Sequence, residues 1–371
     1  MTVKKYLFVS NSLSSGGAEK VVSILASGIA EKGYDVHLIL YEKAKNEYPI
    51  SNKVKIHLLP KSNGENRIKY YAQKFILMRK MIYEINPDII IPFFPYQINQ
   101  FFVASRFMKV PFITTVRNNP FLFPESKKMR ILGKMVGLLS TGIFLQTEEQ
   151  ANFFPEFSRK KTFIVPNPVS NDLIECNYQN RDSIQEIATF GRLSTQKNQR
   201  LLIEAFAIVY KANKSLKLSL YGEGDEENNL KILVKNLGIE EAVTFKGRVS
   251  NVIEALISTD LFVLSSTYEG MPNALMEAMA VGLPCISTDC PTGPKDLIQN
   301  MKNGILVKSN DVSELVSAIN YCIENPLFCK QVGRAANRKM KEEFQTNIIV
   351  DKFIKEINEL IEGNNDGIQS A

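Results

Sequence analysis

The chain has 371 residues, 44% of them hydrophobic and 23% charged, values ordinary for a folded globular protein. At roughly 100–200 residues per domain, this length reads as two domains with substantial cores. Extensive disorder, collagen-like chains and coiled coils are excluded, and no run of about 18 apolar residues marks a membrane span. The opening MTVKKYLFVSNS has too short an apolar part, and no cleavage site, for a signal peptide. The five cysteines, Cys176, Cys285, Cys290, Cys322 and Cys329, show no CxxC spacing. That argues against a disulfide framework or a structural zinc site and fits a reducing cytoplasm. The only histidines, His37 and His57, sit in strand-like runs and read as ordinary strand residues. Charge is uneven. Residues 1–180 hold 24 basic and 14 acidic side chains, giving +10, and the remaining 21 and 25 give −4. Such a basic half suits an anionic partner, nucleic acid or a membrane surface; a solvated lysine-rich surface accounts for it equally.

In chain order, strand and helix alternate twice over. A continuous apolar run at 6–10 is the first strand, and SLSSGG turns it into a helix over about 18–32. That helix has Val21, Val22, Leu25 and Ile29 on one face and Gly33 at its C-terminal stop. YDVHLILY, VKIHLL, DIIIPFF, PFITTV and GIFLQ follow as strands with helical stretches between them. Short apolar strands separated by helices indicate parallel sheets covered on both faces. The polar, proline-containing stretch 166–185 marks a join. The same grammar then restarts with strands EIATFG, LKLSLYG, AVTFKG, LFVLSS, LPCIST and GILVK, and helices near 198–211, 225–237, 250–257, 273–281, 311–324 and 326–343. The expected division is 1–170, 171–345, a last helix over 346–362 and a disordered tail 363–371. Doubly wound α/β domains place their ligands at the carboxyl ends of the strands.

Three segments carry chemistry. SSTYEGMPNALMEAMA (265–280) follows a buried strand and opens a helix. Glu269 and Glu277 are eight residues apart and suit sugar hydroxyls, because each carboxylate accepts through two oxygens. Gly270 and Pro272 let backbone approach a ligand, and the helix start near Asn273 offers a positive dipole end. The alternative is a dipole-complementing Glu277 and a solvated Glu269. In FGRLSTQKN (190–198), Gly191 permits a tight turn, and Arg192 and Lys197 stand five residues apart on one loop. Two fixed cations are what a diphosphate leaving group needs, Arg as a fork and Lys as a point charge; surface decoration is the bland reading. SSGGAE (14–19) sets Gly16 and Gly17 at a helix start, without a Walker lysine or a full GxGxxG. Weaker still are Gly222 and Gly224 in YGEGDEE, and FKGRVSN (245–251), where Arg248 and Val249 stand to meet a base through backbone atoms.

The order SxGGAE, GRLxxxKN, GEG, FxGxV and YEGMPNALMEAMAxGxPxIxT resembles the family 4 glycosyltransferases over nearly the whole chain, above all the bacterial enzymes of capsule, exopolysaccharide and O-antigen (lipopolysaccharide) assembly. The resemblance implies the GT-B fold: two Rossmann-like domains facing across a cleft, with the final helix crossing back to the first. It further implies a nucleotide-sugar on the second domain and the acceptor on the first. Carried over by motif, Arg192 and Lys197 hold the donor diphosphate and Glu269 contacts the sugar near the reacting centre. The N–H groups from Gly270 to Asn273, those of Gly270, Met271 and Asn273 around Pro272, line sugar and phosphate, Glu277 binds the ribose, and Gly17 closes over the phosphate. The family retains anomeric configuration by front-face attack, so no protein nucleophile is obligatory.

One position departs from that pattern. Many relatives carry a histidine where FITTVRNNP places Arg117 and Asn118; Arg117 there suits a substrate phosphate or a structural ion pair. No Asp-x-Asp occurs, so a metal-independent reaction without cofactor is expected, Arg192 and Lys197 supplying the charge. Residues 65–81 mix Arg67, Lys69, Lys74, Arg79 and Lys80 with Tyr70, Tyr71, Phe75, Ile76 and Met78, and KKMRILGKMVGLL (127–139) is similar. At helical spacing these are either core-facing stripes or peripheral contacts with an anionic inner membrane. The expectation is thus a retaining, cytoplasmic hexosyl- or N-acetylhexosaminyltransferase. Its donor is a UDP-sugar (GDP as alternative) and its acceptor a polyprenyl-diphosphate oligosaccharide. A nucleotide-sugar 2-epimerase, which needs no acceptor, and a non-catalytic nucleotide-sugar binder are the alternatives. Nucleic-acid binding lacks a recognised module. As loop residues, Lys197 and Glu269 are expected to tolerate substitution without loss of the fold.

Overall fold

The computed structural model describes residues 3–14, 16–45, 47–60, 67–176, 178, 182–249 and 251–369, with backbone only at 67–68 and 364–369. Ser15 of the SSGGAE segment, Glu65 and Asn66 of the basic stripe, Ser250 and residues 370–371 lie outside them. The chain forms two compact units, Met1–Pro168 with Thr346–Ala371, and Val169–Gln345.

Unit 1 runs β1 (Lys5–Ser10), α1 (Gly17–Glu31), β2 (Asp35–Leu40), β3 (Lys55–Leu58), α2 (Arg67–Ile85), β4 (Ile89–Pro92) and α3 (Pro95–Ser105). It continues with β5 (Ile113–Thr115), α4 (Lys127–Leu139), β6 (Gly142–Leu145), α5 (Glu148–Ala151), a 3₁₀ turn and β7 (Thr162–Ile164). The strands are parallel in the order β3-β2-β1-β4, and a bridge between Ile90 and Phe112 carries the order on into β5-β6-β7. β1, β4 and β6 are buried almost throughout, as continuous apolar runs covered on both faces must be. β3 is the exposed edge. Sequence reading missed β7, whose three-residue TFI run is too short to show a period between basic and proline-containing flanks.

Unit 2 begins with the one-turn helix α6 (Asn171–Ile174) and then repeats strand and helix: β8 (Glu186–Phe190), α7 (Gln199–Ala212), β9 (Lys217–Tyr221), α8 (Glu227–Asn236), β10 (Val243–Gly247), α9 (Val252–Ile257) and β11 (Leu261–Leu264). There follow α10 (Asn273–Val281), β12 (Cys285–Thr288), α11 (Pro294–Leu297), β13 (Ile305–Val307), α12 (Val312–Glu324) and α13 (Pro326–Glu343). Its parallel strands run β10-β9-β8-β11-β12-β13 among the described residues. This is the doubly wound order, with its reversal between β8 and β11.

The last helix, α14 (Thr346–Gln369), belongs to unit 1. Ile349, Val350, Phe353 and Ile357 bury one face against Phe8, Phe144 and Phe163, the rings of Phe144 and Phe353 lying 5.0 Å apart. That period of three and four is what drives the helix onto the sheet. The backbone of α14 runs to Gln369, beyond the helix end at 362 expected from sequence.

The two basic stripes divide between core and surface. On α2, Met78, Ile82 and Ile85 are buried while Ile76 and Tyr83 stand out at 62% and 78% exposure. Lys74 does not join the outer cations: it is buried, with Nζ 4.2 Å from the centre of the Tyr41 ring. α4 buries Val136 and Gly137 and exposes Ile131, Leu132, Met135 and Leu139.

Candidate active site

In a doubly wound sheet the crevice opens where the strand order reverses, at the carboxyl ends of the two central strands. In unit 2 those ends are Phe190 of β8 and Leu264 of β11, and the loops leaving them are the two motif loops. They are stitched together. Thr267 N and Thr267 Oγ1 both donate to Gln196 O (2.8 and 3.1 Å), Ser265 Oγ donates to Lys197 O (3.0 Å), and Gln196 Nε2 donates to Tyr268 O (3.0 Å). Asn198, in the left-handed region at φ 46°, ends the turn and starts α7, while Gln199 Nε2 holds Arg192 O at 2.9 Å.

The clamp brings Lys197 and Glu269 into contact. Lys197 Nζ lies 2.6 Å from Glu269 Oε1, and Ser266 Oγ donates to the same oxygen at 2.6 Å. Glu269 is 5% exposed, so it is neither the solvated loop residue of the bland reading nor a site tolerant of any substitution. From behind, Thr292 Oγ1 donates to Glu269 O, and Glu269 N donates to Pro291 O at 3.2 Å. Burial, then the nearby Glu269 charge, pushes the Cys290 thiol up to about 12, so it stands as a neutral thiol and not a nucleophile.

Gly222 and Gly224 let neighbouring turns touch backbone to backbone. A Cβ at Gly222 (φ 135°) would lie 1.9 Å from Gly191 O, and one at Gly224 would lie 2.1 Å from Leu193 O. The GEG turn therefore braces the Arg192 loop, with Leu193 N donating to Glu223 O at 3.0 Å. Arg192 itself is exposed and has no carboxylate partner among the described residues. Gly222 N also donates to Gly247 O at 2.7 Å, which ties in the next predicted loop; there Arg248 is exposed and Val249 is half-buried against the core. Gly270, Met271 and Pro272 are buried, Pro272 caps α10, and Asn273 is its first residue. Glu277 lies four residues into that helix, half-buried. The site in unit 2 can thus present an ammonium, an exposed guanidinium, a helix N-terminus and two carboxylates.

Unit 1 carries the remaining predicted residues. Gly16 is the extended N-cap of α1, with no side-chain cap, and Gly17 opens the helix. Arg117 and Asn118 leave β5. The Arg117 guanidinium lies 5.0 Å from the Phe93 ring centre and 4.8 Å from that of Phe144, and Nη2 donates to Asn167 Oδ1. Gln146 Nε2 donates to the same oxygen at 2.8 Å, and Asn118 O accepts from Gln150 Nε2 at 3.2 Å. No carboxylate pairs with Arg117 among the described residues, which removes the structural ion pair considered from sequence. Burial alone holds this guanidinium below its usual range. Sequence reasoning gave no role to Ser266, Thr292, Cys290, Gln146 or Asn167; Ser266 lay in the 265–280 segment and Cys290 and Thr292 in TDCPTGPKDLI (288–298), which also resembles the family, while Gln146 and Asn167 gave no signal.

Two family profiles cover most of the chain: "Glycosyl transferases group 1" over residues 178–339 and "Glycosyl transferase 4-like" over residues 12–145. The chain belongs to the family 4 glycosyltransferases. Among the relatives of this glycosyltransferase is an uncharacterized glycosyltransferase of Haemophilus influenzae, 28% identical over 93% of this chain and 97% of that one. Another is the GalNAc-alpha-(1->4)-GalNAc-alpha-(1->3)-diNAcBac-PP-undecaprenol alpha-1,4-N-acetyl-D-galactosaminyltransferase of Campylobacter jejuni, 26% identical over 96% and 99%. A third is the amylovoran biosynthesis glycosyltransferase AmsD of Erwinia amylovora, 26% identical over 90% and 93%. The fold matches Anabaena Alr3699/HepE, solved with UDP and glucose, at a TM-score of 0.81 with 18% identity over 96% and 99% of the chains. It also matches S. aureus TarM at a TM-score of 0.83 with 15% identity over 96% and 100%. The family 4 chain therefore has the GT-B fold.

Proposed function

We propose that this glycosyltransferase moves a hexose or N-acetylhexosamine from a UDP-sugar to a polyprenyl-diphosphate-linked oligosaccharide in bacterial surface-polysaccharide synthesis, with retention and without a metal. The observation that carries the reading is the Lys197–Glu269 pair at the reversal of the unit 2 sheet (2.6 Å). In this reading the ammonium and Arg192 take the leaving diphosphate, which electrostatic stabilisation of developing charge requires. Glu269, released from Lys197, turns to the donor sugar, and Glu277 takes the ribose. The backbone of Gly222, Arg248 and Val249 flanks the base. Support for the acceptor comes from the Campylobacter and Erwinia relatives, whose names specify an undecaprenyl-linked acceptor and amylovoran biosynthesis, and support for UDP from the UDP bound in the HepE structure. Support for metal independence comes from the lack of any Asp-x-Asp.

Membrane association is part of the same reading. No helix of the described residues is long and apolar enough to cross a membrane. Ile76, Tyr83, Val103, Phe107, Ile131 and Met135 nevertheless stand exposed on and just after α2, α3 and α4, among lysines and arginines. Apolar side chains beside cations suit an anionic lipid surface.

The test is a transfer assay with UDP- and GDP-sugars and a short polyprenyl-diphosphate acceptor, run with and without EDTA. Acceptor-dependent transfer from a UDP-sugar that survives chelation is expected. Conversion of the sugar without acceptor, or loss in EDTA restored by manganese, contradicts the proposal.

A further inference from the structure

In unit 1 the strand order reverses between β1 and β4, and Phe93 is the first residue beyond β4. Arg117, arriving from the end of β5, lays its guanidinium over Phe93 and Phe144, at the carboxyl edge where a doubly wound sheet receives its ligand. Nε and Nη1 are buried and have no acceptor among the described residues; Nη2 alone is used, on Asn167. That Asn167 oxygen is already shared with Gln146.

A guanidinium in this position is a burden on the fold. Two aromatic faces offset part of the lost hydration, but a buried cation without an anion is among the least favourable arrangements a fold contains. A structural arginine would spend its five donors on the protein. Arg117 spends one, and the residue as a whole is only half-buried, so part of its side chain already meets solvent.

We propose that Arg117 is the anion-binding residue of unit 1, keeping Nε and Nη1 for oxygens of a substrate phosphate or diphosphate. Asn167 and Gln146 act as positioning residues that fix the guanidinium between uses. The proposal rests on the glycosyltransferase reading for what the substrate is. Its test reads binding without turnover, so failure of one is distinguishable from failure of the other.

The experiment uses the full chain as wild type, Arg117→Met and Arg117→Lys. Affinity for UDP and for farnesyl diphosphate is measured by calorimetry, and the unfolding midpoint by differential scanning. Arg117→Met fills the same space without charge. It is expected to unfold at or above the wild-type temperature and to bind one probe about 10- to 100-fold more weakly, the range for a lost charge-assisted contact. Arg117→Lys is expected to recover part of that affinity. Weakening confined to UDP places the anion on the donor, and weakening confined to farnesyl diphosphate places it on the acceptor. Unchanged affinity of Arg117→Met for both probes overturns the proposal, whatever its midpoint. So does a drop in midpoint that Arg117→Lys restores without any change in affinity.

Discussion

Lys197 in unit 2 and Arg117 in unit 1 both stand at the carboxyl end of a sheet, and their surroundings differ. In unit 2, Lys197 has its own carboxylate 2.6 Å away, and Ser266 donates to the same carboxylate oxygen. In unit 1, Arg117 has two phenyl rings and one amide oxygen. In the proposed reading a diphosphate reaching Lys197 would compete with Glu269 and so free that carboxylate for the sugar. A phosphate reaching Arg117 competes with nothing charged. On these proposals one site would exchange partners, and the other would hold a charge in reserve.

The largest effects should come from breaking the exchanging pair. Lys197→Met and Glu269→Gln should each lower transfer about 100- to 1,000-fold, the scale for removing one preorganised electrostatic group, read as kcat/KM with a UDP-sugar. Their stabilities should differ. Lys197→Met strands a buried carboxylate and should cost about 2–4 kcal/mol, discounted from a fully buried pair because Lys197 keeps 20% of its side chain exposed. Glu269→Gln keeps an acceptor for Ser266 and leaves an ammonium able to reach water, so its cost in chemical denaturation should be smaller. Equal costs would mean that the carboxylate is not the residue held by the pair.

Next comes the brace under the cation loop. Gly222→Ala forces a Cβ against Gly191 O from a backbone at φ 135° and should destabilise unit 2 by about 1–3 kcal/mol. Gly238→Ala, at a positive φ but with open space around it, is the control for backbone strain alone. A difference near zero between the two would show that the GEG turn does not brace the Arg192 loop.

The smallest effect belongs to unit 1. His37 Nδ1 and His57 Nε2 lie 2.9 Å apart, and burial, ahead of the other influences, holds both rings below their ordinary value of 6.5. The unfolded chain then binds protons that the folded one refuses. Stability present above pH 6.5 should therefore decline as the pH falls below it. His57→Gln should flatten that slope in urea titrations between about pH 5 and 7. An unchanged slope would show that the pair does not titrate differently on folding.

How much of this was legible from residues alone follows from which forces act locally. Unit 2 strands and helices appear where LFVLSS, LPCIST and the Asn273–Val281 pattern place them, because short apolar runs and turn residues are local signals. The motif loops too were readable, since their glycines, prolines and charges cluster in sequence. The Lys197–Glu269 contact was not, because it joins residues 72 apart through a clamp of backbone and side-chain hydrogen bonds. Nor was the state of Arg117, whose surroundings come from β4, β6 and the segment after β7. Lys74 misled for the same reason: its neighbours on α2 are cations and apolar residues, but its ammonium turns inward onto Tyr41. Burial is a property of the packed chain, and a charged letter does not announce it.

The most direct test of the account is the rate of sugar transfer from a UDP-sugar to a polyprenyl-diphosphate acceptor by Glu269→Gln, compared with wild type at equal folded fraction. A rate lower by about two to three orders of magnitude, with UDP affinity kept within a few-fold, is the result predicted for a carboxylate that turns from Lys197 to the reacting sugar. Transfer within a few-fold of wild type would contradict it.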